Sequence, residues 1–485
     1  MAWLVFILYS LALLYIFLFS LSQLHLTWHF LREKRTFPTK AKNLPPPDDW
    51  PFVTIQLPVY NEKYVIRRLI KAITSMDYPA DKLEIQILDD SDDETATIIR
   101  DIIHSIHGVT IDHVRRPDRI GYKAGALQYG LKTARGEFIA IFDADFMPQP
   151  DFLKQTIPLF NKGVGVVQTR WGHLNRDYSL LTRLQAFGLD AHFSVEQMGR
   201  SHAKSFINFN GTGGVWRKDC IIDAGGWSAD TLTEDLDLSY RAQLKGWKFK
   251  YLEECVAPAE LPVIMSAIKS QQYRWNKGAA ETARKSLSHV FRSSLPWTNK
   301  IHALFHLLNS SVFVGLLVAA VLSIPLLFIK TAYPQLDLVF RLGGVFLLGF
   351  FSIAYFYWIA AKHTTGKGYM KYYFTTFPLF IIVSMGLSLH NGLAVAEGLA
   401  GRRTPFIRTP KFNITSEKSN WHNNTYIRMN LSPLTLLEGI FSLYFIFGVI
   451  AGVIMGDLTL ALFHTLLATG FGIVFFYSIK SFRHG

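Results

Sequence analysis

The sequence predicts an α/β domain with a parallel, doubly wound sheet, inserted between helices that cross a membrane. Three observations carry this. Between Phe52 and Trp171, short apolar runs are separated by amphipathic stretches at the spacing of strand–helix–strand units. The apolar residues, 49% of the 485, are segregated into the first stretch and the part after Ile301. The run Phe138 to Asp145, FIAIFDAD, passes straight from apolar residues into paired acids.

Composition narrows the class before any motif is read. The net charge is +13, yet the Lys and Arg residues form no patterned stripe with a nucleic-acid motif, so membrane orientation and phosphate handling explain the excess better. Cys220 and Cys255 are the only cysteines. That is too few for a disulfide framework or a zinc site, and both read as small core residues.

Met1 to about Leu26 is long and apolar enough to span a bilayer. It lacks the early charge and small-residue cleavage site of a signal peptide and reads as a retained anchor. Arg32, Lys34, Arg35, Lys40 and Lys42 follow, placing this side in the cytoplasm and the N-terminus outside. Residues 27–50 form a basic linker ending in Pro45-Pro46-Pro47. The soluble domain spans 51–262. Its strands are expected at Val53–Pro58, Glu84–Asp90, Val109–Val114, Phe138–Phe142 and Val164–Trp171. Its helices are expected at Asn61–Met76, with Asn61 as N-cap, at Ser91–His104 and at Gly121–Ala134. Residues 263–300 are an amphipathic interface segment containing QQYRW. Asn309–Ile329 and Leu336–Ala361 are spans joined through Pro334, and Leu434–Met455 and Leu458–Ile479 are two more, ahead of a basic tail. Tyr372–Leu399 is apolar but broken by Pro378, His390, Asn391 and Glu397. If it crossed, the basic loop 401–433 would lie outside, so 362–400 is expected to lie along the inner interface.

The chemistry concentrates at the ends of the expected strands. Alternation points Asp143 and Asp145 the same way at the carboxyl end of their strand, the edge where open α/β sheets bind ligands. Two carboxylates held together call for a positive guest, and Mg²⁺ or Mn²⁺ carrying a diphosphate suits them. A solvated strand-end turn is the plainer alternative. Asp89-Asp90 closes the second strand at the same edge. Glu234 and Asp235 follow Thr233 at a helix start, where the dipole favours an ionised carboxylate fit to act as a base; capping alone would also explain Thr233. The small-residue loop FNGTGG, with Phe209, Asn210 and Gly211, lets backbone approach a ligand, here placed at the acceptor side, although a plain turn would explain it equally well. In QQYRW, Arg274 offers a fork for phosphate oxygens and Trp275 a flat face for a sugar, although both residue types also anchor membrane interfaces.

Together and in this order, PVYNE (Pro58–Glu62), Asp89-Asp90, GYKAGAL (Gly121–Leu127), DAD, TED and QQYRW resemble the membrane-embedded glycosyltransferases of family two, the group containing cellulose synthase. LDDSDDET, RIGYKAGAL, IFDADFMPQPDFL, AGGW and LKGWKF are similar to its mannan synthase branch. The resemblance implies a GT-A-like cytoplasmic domain and an inverting transfer of hexose from GDP-mannose or UDP-glucose to a growing β-linked glycan, passed through the membrane. It implies Asp235, with Glu234 beside it, as general base. Asp89 and Asp90 would hold the nucleoside, Lys123, Asp143, Gln271 and Arg274 the diphosphate, and Asp143 and Asp145 its metal. Trp275 would meet the acceptor sugar. Phe406, Thr409 and Lys411 match the F-x-V-T-x-K gating loop, with Arg408 in place of Val. A lipid glycosyltransferase that adds one or a few sugars to a membrane lipid would share the same catalytic core.

Overall fold

A computed structural model describes residues 2–33, 47–333, 343–414, 424–426 and 432–483. The basic and proline residues expected between 34 and 46, and the Pro334 connection, lie outside the described residues.

The central sheet has strands β1 (Val53–Val59), β2 (Leu83–Asp89), β3 (Thr110–Val114), β4 (Phe138–Ile141), β5 (Val164–His173), β6 (Gly214–Arg217) and β7 (Lys248–Ala259), in the order β3-β2-β1-β4-β6-β5-β7. The expected all-parallel sheet is corrected by one strand. β6 runs antiparallel to both β4 and β5, while all other neighbours are parallel. β6 and β7 were not legible because VWR and the charged KFKYLEEC run carry little alternation. The apolar run of β4 is explained by burial on both faces. Phe138, Ala140 and Phe142 enter the core against the helix Ile66–Thr74, and Ile139 and Ile141 enter the opposite core with Leu127, Val166 and Trp216. β1 solves the same problem differently. Val53, Ile55, Leu57 and Val59 are apolar on one face. On the other, buried Thr54 donates to Glu84 (2.7 Å) and Gln56 pairs with Gln86 (3.0 Å), so the buried polar side chains of the two strands partner one another.

Several helix starts move inward from their expected positions. Asn61 does not cap; it sits at φ 55° and its amide donates to Asp92 (2.7 Å), and the helix begins at Ile66. The next helix starts at Thr95, after a turn in which Asp93 accepts from the backbone N–H of Thr95 (2.9 Å). Asn61 thus bonds to a neighbouring loop instead of opening its helix, whereas Asp93 holds the first residue of the helix that follows it.

Among the described residues, five helices are long and apolar enough to cross a membrane: Ala2–Arg32, Asn309–Ala332, Gly343–Thr365, Pro433–Ile454 and Leu458–Ser481. The first helix continues to Glu33, past the expected boundary at Leu26. Packing of its last turns on the segment His192–Glu196 and on helices Gln197–His202 and Trp297–Leu307 extends it, with His25 Nδ1 3.1 Å from His302 Nε2. The ambiguous segment is a bent pair, Tyr369–Gly386 and Ser388–Leu399, angled by 52°. Helix Tyr369–Gly386 crosses helix Leu458–Arg483 at two glycines. A Cβ on Gly386 would sit 2.2 Å from the carbonyl oxygen of Gly470. Gly386→Val is therefore expected to destabilise the detergent-solubilised protein by about 1–3 kcal/mol, as overpacking does. Thermal unfolding should show it, whereas Gly343→Ala, whose Cβ meets nothing within 4 Å, should leave the midpoint unmoved.

Candidate functional site

The topology brings one edge of the sheet into play. β1, β2, β4, β5 and β7 all point their carboxyl ends the same way, and antiparallel β6 begins there. The segments leaving those ends surround a cleft: Tyr60 and Glu62 after β1, Asp90 after β2, Asp143 and Asp145 after β4, Glu260 after β7, and Asn210 and Gly211 ahead of β6. The helices Glu234–Leu244 and Met265–Arg292 and the loop 404–411 close its other sides.

Asp143 and Asp145 lie beyond the strand, in a turn where Phe146 N donates to the Asp143 carbonyl (3.0 Å). Alternation along a strand is thus not what orients them; the turn is. Each carboxylate faces its own lysine. Lys123 Nζ is 2.6 Å from Asp143, 3.8 Å from Glu234, and donates to the Gly211 carbonyl (2.9 Å). Lys411 Nζ donates to Asp145 Oδ2 (2.7 Å). Burial works against both ammonium groups, but the surrounding acids outweigh it and hold both lysines above their ordinary pKa. Asp145 Oδ1 is buried with no hydrogen-bond partner among the described residues. No group of three or more His, Cys, Asp or Glu side chains is placed to hold a metal among them. The residues nonetheless fit a divalent cation of the kind bound by one or two carboxylates and substrate phosphates, because Asp145 has a buried oxygen to spare and Asp143 is part-exposed toward the cleft.

Glu234 and Asp235 open the helix Glu234–Leu244. Thr233 makes no side-chain capping bond, so capping does not account for the motif. The expectation that the helix dipole keeps Asp235 ionised is overturned. Burial and then the neighbouring Glu234 charge push Asp235 up to about 7, against the pull of Lys123. Gly211 (φ +80°) presses against this group: a Cβ there would lie 3.0 Å from Asp235 Oδ2 and 3.4 Å from Lys123 Nζ. Only glycine lets the loop carbonyl reach Lys123 beside the acid.

QQYRW is split by helical periodicity. Gln271, Arg274 and Trp275 share the face that lines the cleft. Gln272 and Tyr273 turn to the bent pair, where Asn391 donates to Gln272 (2.8 Å) and Tyr273 donates to Glu397. Arg274 donates to Thr409 (2.7 Å) and lies 4.8 Å over the Phe406 ring. Burial lowers its pKa, opposed by Glu234 and Asp143. Trp275 faces Trp171, with ring centroids 6.4 Å apart. The loop is thus seated in the cleft through Phe406, Thr409 and Lys411, and Arg408 adds an ion pair with Glu62 (2.7 Å). Burial pushes Glu62 up to about 7, against Arg408 and Lys411.

Two expected residues stand outside the cleft. Asp89 is buried, with His113 Nε2 at 2.8 Å and the Ser91 N–H donating to it (2.9 Å). Burial opposes its charge, yet those hydrogen bonds hold its pKa below the usual carboxylate value. It fixes the loop after β2. Phe209 is fully buried against Trp216 and Trp227; its neighbours Asn210 and Gly211 do line the cleft. Asp90 is there too, gripped by Arg116 through both oxygens (2.7 and 2.5 Å). Sequence reasoning gave no role to Glu62, although PVYNE contains it, nor to Arg119, whose guanidinium lies 3.3 Å over the Tyr60 ring. Glu260, Trp171 and His173 also line the cleft without any local signal.

Residues 51–278 match the family model described as glycosyltransferase like family 2. Glucomannan 4-beta-mannosyltransferase 1 of Oryza sativa subsp. japonica is 42% identical over 282 residues, covering 54% of this chain and 54% of that protein. Glucomannan 4-beta-mannosyltransferase 2 of Arabidopsis thaliana is 43% identical over 253 residues, 50% of this chain and 47% of its own length. The chain thus spans about half the length of the curated relatives it matches. The mannosyltransferase PcManGT from Pyrobaculum calidifontis, solved in complex with GDP-Man and Mn²⁺, shares the fold with a TM-score of 0.54 at 19% identity, covering 80% of this chain and 100% of that one.

Proposed function

We propose, from the match of residues 51–278 to the family model described as glycosyltransferase like family 2, that the chain is an inverting membrane glycosyltransferase building a β-linked mannan or glucomannan from GDP-mannose. The observation that carries the reading is the single cleft in which Lys123, Asp143, Asp145, Asp235, Arg274 and Trp275 meet. The named activity of the relatives and the GDP-Man in the solved neighbour favour mannose over glucose.

Asp235 accepts the proton of the acceptor hydroxyl as that oxygen bonds to the anomeric carbon. The bond from that carbon to the diphosphate oxygen breaks, and the nucleoside diphosphate leaves with the electron pair. Lys123 and Arg274 meet the charge that grows on it, and they do so from part-buried positions where charge counts more than in open water. Mg²⁺ or Mn²⁺ at Asp143 and Asp145 supplies further charge neutralisation when bound. Trp275, beside Trp171, offers the apolar face of an aromatic to the acceptor ring.

The domain is read as cytoplasmic, with the bent pair lying along the inner interface instead of crossing. Two contacts support this. Lys411 reaches Asp145, so loop and domain share one side with two spans between them. Lys330 donates to Asp457 (2.7 Å), which puts the end of the second span and the turn joining the last two on one side as well. A crossing by the bent pair would separate both partners.

The protein in lipid nanodiscs, given labelled GDP-mannose or UDP-glucose, is expected to convert the first into a ladder of β-linked chains. Transfer of single sugars to lipid would replace the polymer reading with the lipid one, and turnover of neither donor would sink the assignment. The acid limb of kcat/KM should lie near pH 7, rising with pH as Asp235 gives up its proton. Glu234→Gln removes a negative neighbour and should move that limb to lower pH. An unmoved limb would mean that another group, Glu62 among them, sets it.

A further inference from the structure

The helix that carries Leu189 and Asp190 changes its winding just before it ends. Over His192–Glu196 the chain turns as a π-helix, flanked by α-helix on both sides (Leu180–Ala191 and Gln197–His202). Such turns store strain and concentrate at functional sites. Here the strain has a visible compensation, because Tyr251 donates its hydroxyl proton to the Phe193 carbonyl. Wider winding brings residues five apart onto one face, and His192 and Gln197 are five apart. Both reach the same side chain, Asn210. Gln197 Nε2 donates to Asn210 Oδ1 (2.8 Å), and Asn210 Nδ2 lies 3.1 Å from His192 Nε2. The other imidazole nitrogen, Nδ1, is 2.7 Å from Glu196, which also pairs with Arg200. A carboxylate can only accept, so Nδ1 carries a proton, leaving Nε2 to accept from Asn210. The amide is therefore pinned at both ends. Its backbone is held as well, Asn210 N donating to Gln168 Oε1 (2.9 Å). One Nδ2–H remains, on a residue that lines the cleft.

We propose that the π turn at His192–Glu196 exists to lock the Asn210 amide, so that its free N–H is presented as a fixed donor to a hydroxyl of the acceptor sugar. His192 and Gln197 are positioning residues; Asn210 is the group that touches substrate. The same turn carries Phe193, which stacks on Trp171 with centroids 4.9 Å apart. One irregularity in winding thus sets both the polar and the flat part of the acceptor end. This rests on the acceptor reading given under Proposed function. It goes beyond that reading by assigning the orientation of Asn210 to two residues outside the cleft.

The test uses the full chain in nanodiscs with a β-1,4-linked mannotetraose as acceptor probe and labelled GDP-mannose as donor. His192→Phe keeps the ring but removes its acceptor nitrogen, and Gln197→Leu removes the donor. Each is expected to raise the acceptor KM by about tenfold, the worth of one oriented hydrogen bond. Donor KM and donor hydrolysis to water should stay as in the parent. His192→Gln, which retains an acceptor, should recover most of the loss. Asn210→Ala should raise acceptor KM by a similar factor, and the double variant His192→Phe, Asn210→Ala should be no worse than Asn210→Ala alone. Additive losses, or an equal fall in donor hydrolysis, would overturn the proposal. If GDP-mannose is not turned over at all, the donor assignment fails separately. Quenching of tryptophan fluorescence by mannotetraose then reads the same affinities without a donor, and unchanged affinity in His192→Phe would still overturn the lock.

Discussion

Asp235→Asn is expected to abolish transfer while sparing the donor site. The change is nearly isosteric, and the part-buried side chain keeps its place at the start of its helix. The amide can accept the hydrogen bond of an incoming hydroxyl but cannot keep its proton. Transfer should fall by about two to four powers of ten, the usual worth of a positioned general base. Asp235 lies near the Lys123 ammonium without being its closest partner; that is Asp143, at 2.6 Å. The donor-facing lysine should therefore stay anchored, and donor affinity should hold in an equilibrium binding measurement with labelled GDP-mannose. Equal loss of binding and turnover would show that Asp235 binds the donor instead of deprotonating the acceptor.

Asp145→Asn should be nearly as damaging, for another reason. Asp145 faces the Lys411 ammonium at 2.7 Å, with its second oxygen buried and without a hydrogen-bond partner among the described residues. An amide offers neither the charge that holds Lys411 nor the charge a hard divalent cation requires. Turnover should drop by about a hundredfold or more, since a bound metal contributes several kcal/mol to such a displacement. The dependence of the residual activity on Mn²⁺ concentration should also shift upward. Near-normal turnover at limiting Mg²⁺ or Mn²⁺ would return the DAD motif to a strand-end turn. A selective effect on Lys411 is separable, because Lys411→Gln leaves both carboxylates in place and should not shift the Mn²⁺ dependence in the same direction.

Much of the chemistry was legible because the residues concerned lie where local rules are strong. The apolar run into DAD marks a strand buried on both faces, and β4 is that strand. Gln271, Arg274 and Trp275 were singled out in QQYRW, and the helix Met265–Arg292 brings all three to the cleft. The apolar stretches read as spans each overlap a helix long and apolar enough to cross a membrane, although the first helix runs on past Leu26. Other readings failed where a longer-range partner intervened. Asn61 looks like a cap until Asp92 takes its amide. Asp89 and Asp90 are equivalent in sequence, yet one turns inward to His113 and the other toward Arg116 and the cleft.

The sequence by itself determined where β1 to β5 lie, which segments are apolar enough for lipid, and which short motifs bear charge at their ends. Those follow from periodicity and composition, which act within one turn or one strand. Only the tertiary structure decided that β6 enters the sheet backwards, bringing the Asn210–Gly211 loop to the carboxyl edge opposite Asp143. It likewise decided that Lys411, 266 residues away in sequence, neutralises Asp145, and that Asp235 sits high in pKa despite its helix terminus. Each of these is an energy of burial and charge set by groups distant in the chain, and no local pattern encodes the sum of such terms.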